Sequence, residues 1–273
     1  MQEFLVRTSH KPRPLPSGRW AMTQRWNDLL YAHWPVETAE VAARLPEGLD
    51  ADTFEGTAWL GIAPFWMDRI KLRAVSSLSA TMPGLLSFPV LNLRTYVRDR
   101  YTGTPGIYFF SLDAGSLLAV TVARVFYQVP CNWAEMRLEQ RAEREFSFYS
   151  RRRLSGQPAI FKARYRGLGP TRNLAENRAG TLEHFLTERY SLFSRNRAGQ
   201  AVRANLHPVP WPLEDAEAEI EENGLAEAIG IRLPRREPVL HYSRRLALYI
   251  WHQESVRPLL AVRPATVAVS PSV

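Results

Sequence analysis

Cysteine is nearly absent from this chain: Cys131 is the single one in 273 residues. An intramolecular disulfide and a cysteine-rich zinc site are thereby excluded. Lysine is scarce too, with only Lys11, Lys71 and Lys162 among 35 basic residues. Chemistry that needs a desolvated amine has few places to reside. No uninterrupted apolar run approaches the roughly 18 residues of a membrane-spanning helix, and the best one, Leu117–Ala123, stops at Arg124. Residues 1–18 hold no apolar stretch resembling a signal-peptide core, so the cytoplasm is the expected compartment and no membrane partner is expected. No two histidines stand at i,i+4 or as His-x-His, so a histidine metal site is not expected. G-x-G-x-x-G, G-x-x-x-x-G-K-[ST] and G-x-S-x-G are all missing. A nucleotide cofactor and a nucleophile-elbow serine lack support, and no cofactor is expected.

What is present is enough for a sizeable core: 45% hydrophobic residues, with eight Trp, ten Tyr and twelve Phe. The formal net charge of +8 is carried almost wholly by arginine. These arginines are scattered along the chain. The one cluster, Arg151–Arg153, follows alternating charges from Arg137 to Glu145, the pattern of a solvated strand or hairpin face rather than a phosphate track. A nucleic-acid partner is not expected.

Residues 1–18 and 261–273 are biased in composition and read as a loosely ordered arm and tail around one domain, 19–260. Within it, Pro and Gly recur at short intervals and most periodic runs alternate at period two. Phe88–Arg98 reads as a strand with Leu91, Leu93, Thr95 and Val97 on one face and Asn92, Arg94 and Tyr96 on the other. Gly106–Asp113, apolar on both faces, reads as an interior strand. Leu117–Val129 is rich in β-branched residues and reads as a third strand, joined through an Asp113–Ser116 turn into an antiparallel meander. Val239–Gln253 reads as a strand as well. Three helices are expected: Thr38–Leu45, capped by Thr38 and ended by Pro46; Thr181–Phe193, capped by Thr181; and the acidic Leu213–Gly224, solvated on most sides. The patterns predict a β-rich α+β chain with a few peripheral helices.

Three segments in order, NLRTYV (Asn92–Val97), GIYFFSLDA (Gly106–Ala114) and AR-x-F-Y-x-x-P (Ala123–Pro130), resemble the YqjF-like family, the domain of unknown function numbered 2071. The resemblance continues through RWNDLLYAHWPV (Arg25–Val36), LPEGLDADTFEGTAWLGIAPFWM (Leu45–Met67), FLTERYSLF (Phe185–Phe193) and PWPL (Pro210–Leu213), covering about residues 20–255. That family is similar in fold to acetoacetate decarboxylase. The resemblance therefore implies a curved antiparallel sheet closing into a cone or barrel around a ligand pocket. Acetoacetate decarboxylases form a Schiff base through a lysine that follows a strand ending in Tyr-Pro. The matching place here, Val129-Pro130-Cys131-Asn132, has no lysine, and a glutamate expected near the pocket aligns with Val90. A Schiff-base decarboxylase is not expected.

Other residues then become candidates. His33, between aromatics and before a proline in Tyr31-Ala32-His33-Trp34-Pro35, is the best-placed acid–base group, with Tyr96 beside it in role. Arg124 falls on an apolar strand face and Arg94 shares a face with Asn92 and Tyr96, and a buried guanidinium needs an acid or an anionic ligand. With Asn92, and with Trp34, Trp59 and Trp66 as enclosing aromatics, they would bind a small organic acid. The alternative for each arginine is a structural pair with Asp113 or another internal acid. Cys131, with no histidine near it in sequence, reads as a small buried hydrophobe. Two functions stay open: an enzyme in which arginine holds a carboxylate or enolate while His33 or a tyrosine moves a proton, and a ligand-binding protein on the same fold.

Overall fold

Period-two alternation dominates the chain, and fourteen strands join one sheet. The structure is a computed structural model that describes residues 14–75, 86–126, 129–153, 158–173, 179–208 and 211–258. The strands are β1 (Met22–Val36), β2 (Leu49–Ala51), β3 (Ala58–Leu72), β4 (Phe88–Asp99), β5 (Pro105–Ala114), β6 (Cys131–Ala142), β7 (Glu145–Arg152), β8 (Ile160–Gly167), β9 (Arg172–Asn173), β10 (Ser191–Arg195), β11 (Ala201–Pro208), β12 (Pro212–Asn223), β13 (Val239–Ile250) and β14 (Glu254–Ser255). Among the described residues three α-helices accompany them: α1 (Thr38–Ala42), α2 (Leu117–Phe126) and α3 (Leu182–Thr187).

The pairing runs from β5 through β6, β7, β8, β12, β13, β1, β3 and β4 and back to β5, which closes a nine-stranded barrel. A second ring leaves the same wall at β5, passes through β10 and β11, and returns at β13. The strands β13, β1, β3, β4 and β5 thus belong to both rings. Neither face of that wall meets water along its centre, so its strands are apolar on both sides, and in β4 every residue except Arg98 is buried. Leu30, Ala32, Ile62, Leu91 and Leu93 face Phe148 and Phe161 inside the nine-stranded barrel. Leu29, Tyr31, Phe65, Val90 and Tyr96 face Leu192, Ala204 and Leu206 on the other side. Register shifts in the β1–β3 pairing bend these long strands, and at one of them Asp28 takes φ 53°. Tyr242 Oη donates to Asp28 Oδ1 at 2.7 Å, and Tyr165 Oη donates to its backbone carbonyl at 2.7 Å.

The structure corrects several expectations. Leu117–Phe126 is a helix, not a strand. Ser116 accepts from Ala119 N at 3.3 Å as a cap, and Leu118, Ala119, Val122 and Ala123 form the inward stripe. The run β5–α2–β6 is therefore a crossover between parallel strands rather than a meander. Leu213–Gly224 is not a helix but belongs to strand β12, where acids alternate outward with Ala216, Ala218 and Ile220. In α3 the expected Thr181 cap is present, with its side chain accepting from His184 N at 3.3 Å. The helix ends at Thr187, because Ser191–Arg195 pairs with β11 and β5 instead. Thr38 is the first helical residue of α1, whose cap position is Glu37. The alternating charges after Arg137 do lie on a hairpin, β6–β7. Among the described residues no helix is long and apolar enough to cross a membrane.

At the parallel β5–β6 junction sits a buried ion pair. Arg152 Nε lies 3.1 Å from Asp113 Oδ2, and its Nη2 donates to Ser111 Oγ at 3.0 Å. Asn132 Nδ2 donates to the same carboxylate at 3.0 Å. Removing one partner of such a pair strands the other charge. Asp113→Ala is expected to cost about 3–5 kcal/mol, read as a fall in the urea midpoint with the slope retained; a loss below 1 kcal/mol would mean the pair is dispensable.

Candidate functional site

Three adjacent wall strands bring His33, Gly61 and Arg94 into one row. His33 on β1 stands opposite Gly61 on β3, which stands opposite Arg94 on β4. A Cβ on Gly61 would lie 2.9 Å from His33 Cδ2 and 3.3 Å from Arg94 Cγ. The missing side chain is what lets the imidazole and the arginine stem lean together over β3. Alternation places Tyr31 and Tyr96 on the same side, both wholly buried. His241 on β13 stands opposite Tyr31.

Tyr96 Oη lies 2.7 Å from His33 Nε2 and 2.8 Å from the Leu186 carbonyl. A phenol has one proton, and the carbonyl can only accept it. His33 Nε2–H therefore donates to Tyr96, and Nδ1 is left as a bare lone pair without a partner. Burial, then Arg94 and His241, hold the His33 pKa well below its ordinary value. The imidazole is neutral at physiological pH. Burial raises the Tyr96 pKa, opposed by Arg94 and Arg189, so the phenol keeps its proton.

Arg94 is 2% exposed, and its guanidinium sits 4.6 Å over the Tyr31 ring. Its Nε has no partner, and none of the ion pairs among the described residues involves it. It lies close enough to the Tyr31 and Tyr96 hydroxyls to favour their ionised forms, yet Tyr31 Oη has no aligned hydrogen bond. Trp211 packs edge-on to Tyr31 at 5.6 Å with its Nε1 unpartnered. Asn92, one pleat along β4, is 1% exposed, and both its Nδ2 and its Oδ1 lack partners. Arg189, by contrast, is a satisfied buried arginine: its Nη1 lies 2.6 Å from Asp52 Oδ2.

Asn92 also lines a cavity of about 230 Å³ between the wall, β10, β11 and α2. Val90, Val129 and Cys131 line it too. These are the places where resemblance to acetoacetate decarboxylase put a glutamate and a lysine, and here they form an apolar surface. Burial pushes the Cys131 thiol up to about 12, so it is no nucleophile at neutral pH. Among the described residues no cluster of three or more His, Cys, Asp or Glu could hold a metal ion.

Of the residues singled out from sequence, Asn92, Arg94 and Tyr96 share one face, as alternation predicted, and strand pairing brings His33 to the same side. Arg124 does not join them. It is exposed on α2, where its Nε donates to the Cys131 carbonyl and its Nη2 to Asn132 Oδ1 at 3.3 Å, tying the helix to β6. Its placement failed with the strand assigned to α2. Trp34 faces the nine-stranded barrel, opposite His33, because neighbours in a strand alternate. Trp66 bonds Ser87 Oγ at 2.8 Å and does not line the cavity. Sequence reasoning missed Tyr31, Gly61 and Trp211. Tyr31 was accessible, since it lies two residues before His33 on the same face; Trp211 and Gly61 depend on strand pairing.

Two predictions follow from this geometry. His33 has a folded pKa below the unfolded value near 6.5, so the unfolded chain binds its proton more readily. That contribution to stability is held above about pH 6.5 and is lost as pH falls below it. Thermal unfolding should drop in temperature between about pH 7.5 and pH 5, less steeply in His33→Gln; equal slopes would mean that the imidazole is not buried neutral. Gly61→Ala should fold but lose about 1–3 kcal/mol, measured by urea unfolding, with His33 displaced from Tyr96.

The family model for DUF2071, described as "Uncharacterized conserved protein", matches residues 23–247. "Uncharacterized protein YqjF" of Bacillus subtilis (strain 168) is 39% identical over 245 residues, covering 90% of this chain and 96% of that protein. Among solved structures, the enduracididine biosynthesis enzyme MppR complexed with pyruvate superposes with a TM-score of 0.60 at 10% identity, over 90% of this chain and 93% of that one. Acetoacetate decarboxylase from Legionella pneumophila gives a TM-score of 0.58 at 14% identity, over 92% and 93%. At such identities these two establish the fold alone, that of acetoacetate decarboxylase-like proteins. With the family model spanning most of its length and a close relative covering it nearly end to end, the chain belongs to the DUF2071 family.

Proposed function

We propose that this protein binds a small organic acid, preferably a keto acid, at Arg94 and Asn92, and that neutral His33 moves a proton on it without a Schiff base. The single observation that carries this reading is Arg94: a buried guanidinium without a carboxylate partner among the described residues. An uncompensated buried charge costs several kcal/mol, and an anionic ligand offsets that cost. Around it, the unpartnered Asn92 amide and Tyr31 hydroxyl offer the further hydrogen bonds a carboxylate or enolate needs. The His33 Nδ1 lone pair can accept a proton from the carbon beside a carbonyl, and the charge that develops on the enolate oxygen is stabilised by Arg94. MppR, similar in fold, is a structure complexed with pyruvate, which supports a keto acid as the first probe. What favours an enzyme over a plain binding protein is the His33–Tyr96 pair at 2.7 Å, which fixes the imidazole tautomer.

The test is hydrogen–deuterium exchange at the carbon next to the carbonyl of 2-oxobutanoate, followed by proton NMR in heavy water. Catalysed exchange is expected, reduced about 10²–10⁴-fold in His33→Gln and abolished with binding in Arg94→Met. Binding that depends on Arg94 without any exchange would support the ligand-binding alternative. Binding that survives Arg94→Met would overturn the site.

A further inference from the structure

The cavity beside Asn92 is far more apolar than a small keto acid requires. Trp26, Phe65, Met67, Phe88, Phe109 and Leu206 contribute to its lining, and Asn92, Gln24 and Gln253 are its polar residues. Its emptiness has an identifiable cause. The face of α2 that covers the wall carries Ala119 and Ala123, one turn apart, and the strands beneath offer Ala114 and Ala204. All four line the cavity, where larger side chains would narrow the gap. Leu118 lines the cavity and is also 45% exposed, so it marks the rim, whereas Asn92 at 1% exposed marks the floor. Water in such a chamber would find few polar partners, and apolar cavities of this kind stay dry or take apolar ligands.

We infer that the ligand is amphipathic: an aliphatic carboxylate or keto acid whose polar head meets Asn92 and Arg94 and whose hydrocarbon tail fills the chamber beneath α2. The inference rests on the reading that Arg94 and Asn92 hold the head. It adds the substrate class, because a short acid such as pyruvate leaves the chamber empty. Hydrocarbon in the chamber also accounts for the positions at Val90 and Val129, which need carry no chemistry and serve as wall. The tail runs from a buried head towards the rim at Leu118, so lengthening it is tolerated until it passes the helix.

Isothermal titration with acetate, butanoate, hexanoate, octanoate and decanoate tests this directly. Affinity should rise about fourfold per methylene, as full burial of each one implies, and then level off once the chamber is full. Ala119→Leu and, separately, Ala123→Leu reach into the chamber from the helix and should move the plateau to a shorter chain; circular dichroism confirms that each variant is folded. Octanol, which has a tail and no charge, separates the two layers of the claim. If acetate and butanoate bind through Arg94 but affinity is flat with chain length, the tail inference falls and the head reading stands. If octanol binds as well as octanoate and Arg94→Met changes neither, the chamber stands and the head reading falls. If folded leucine variants keep the wild-type chain-length profile, the ligand does not use this chamber and the inference is overturned.

Discussion

Everything in this molecule depends on a five-stranded wall that has no solvent side. Because β13, β1, β3, β4 and β5 close one ring through β6, β7, β8 and β12 and another through β10 and β11, each residue along the centre of the wall enters one of two interiors. A polar residue at the centre of such a strand cannot turn outward. It must be paired within the protein, or it must meet something that arrives from outside. That single restriction converts the alternation of an ordinary strand into a sorting device. In β4, Phe88, Val90 and Tyr96 go to the side of β10 and β11, and Leu91 and Leu93 go to the nine-stranded barrel.

The buried charges show the restriction being met in two ways. Asp113 is held by Arg152 and Asn132, and Arg189 is held by Asp52, so both are completed within the fold. Arg94 is not. It stacks on Tyr31 and leans across Gly61 towards His33, but among the described residues no carboxylate answers it. Asn92 and Tyr31 repeat the pattern on the same face. Stability alone would favour an apolar residue at each of these positions, since a half-satisfied buried network is worse than none. Their grouping on one face is the physical ground for reading that face as a site.

Much of this was legible in the sequence because period two survives any detail of pairing. The faces of β4, the interior character of β5, the charged β6–β7 hairpin and the strand at β13 all follow from alternation, which put Asn92, Arg94 and Tyr96 on one face. What failed was segments whose local composition pointed one way and whose tertiary partners pointed another. The Val-rich run of α2 has β propensity, yet it caps at Ser116 and bridges two parallel strands, which a strand could not do. The acidic run of β12 lacks a wide apolar face and was read as a solvated helix, but its alanines alternate and it pairs with β8 along most of its length. Arg124 was lost with α2, and Trp34 by overlooking that neighbours of His33 point away from it. Gly61 was beyond reach, because its meaning lies in the row it shares with His33 and Arg94 across three strands.

Resemblance to a decarboxylase fold makes the replacements at Val90, Val129 and Cys131 the more informative. A Schiff-base amine works because desolvation and a second cation lower its pKa. Burial here acts on a thiol in the opposite sense, pushing Cys131 up to about 12 and making it inert. Beside the unanswered Arg94 stands His33, a neutral base with a buried, unpartnered Nδ1. Their separation from the apolar chamber is a single pleat of β4, about 7 Å by strand geometry. Head and tail of one ligand can therefore be served by successive residues on one strand face, with Asn92 at the join.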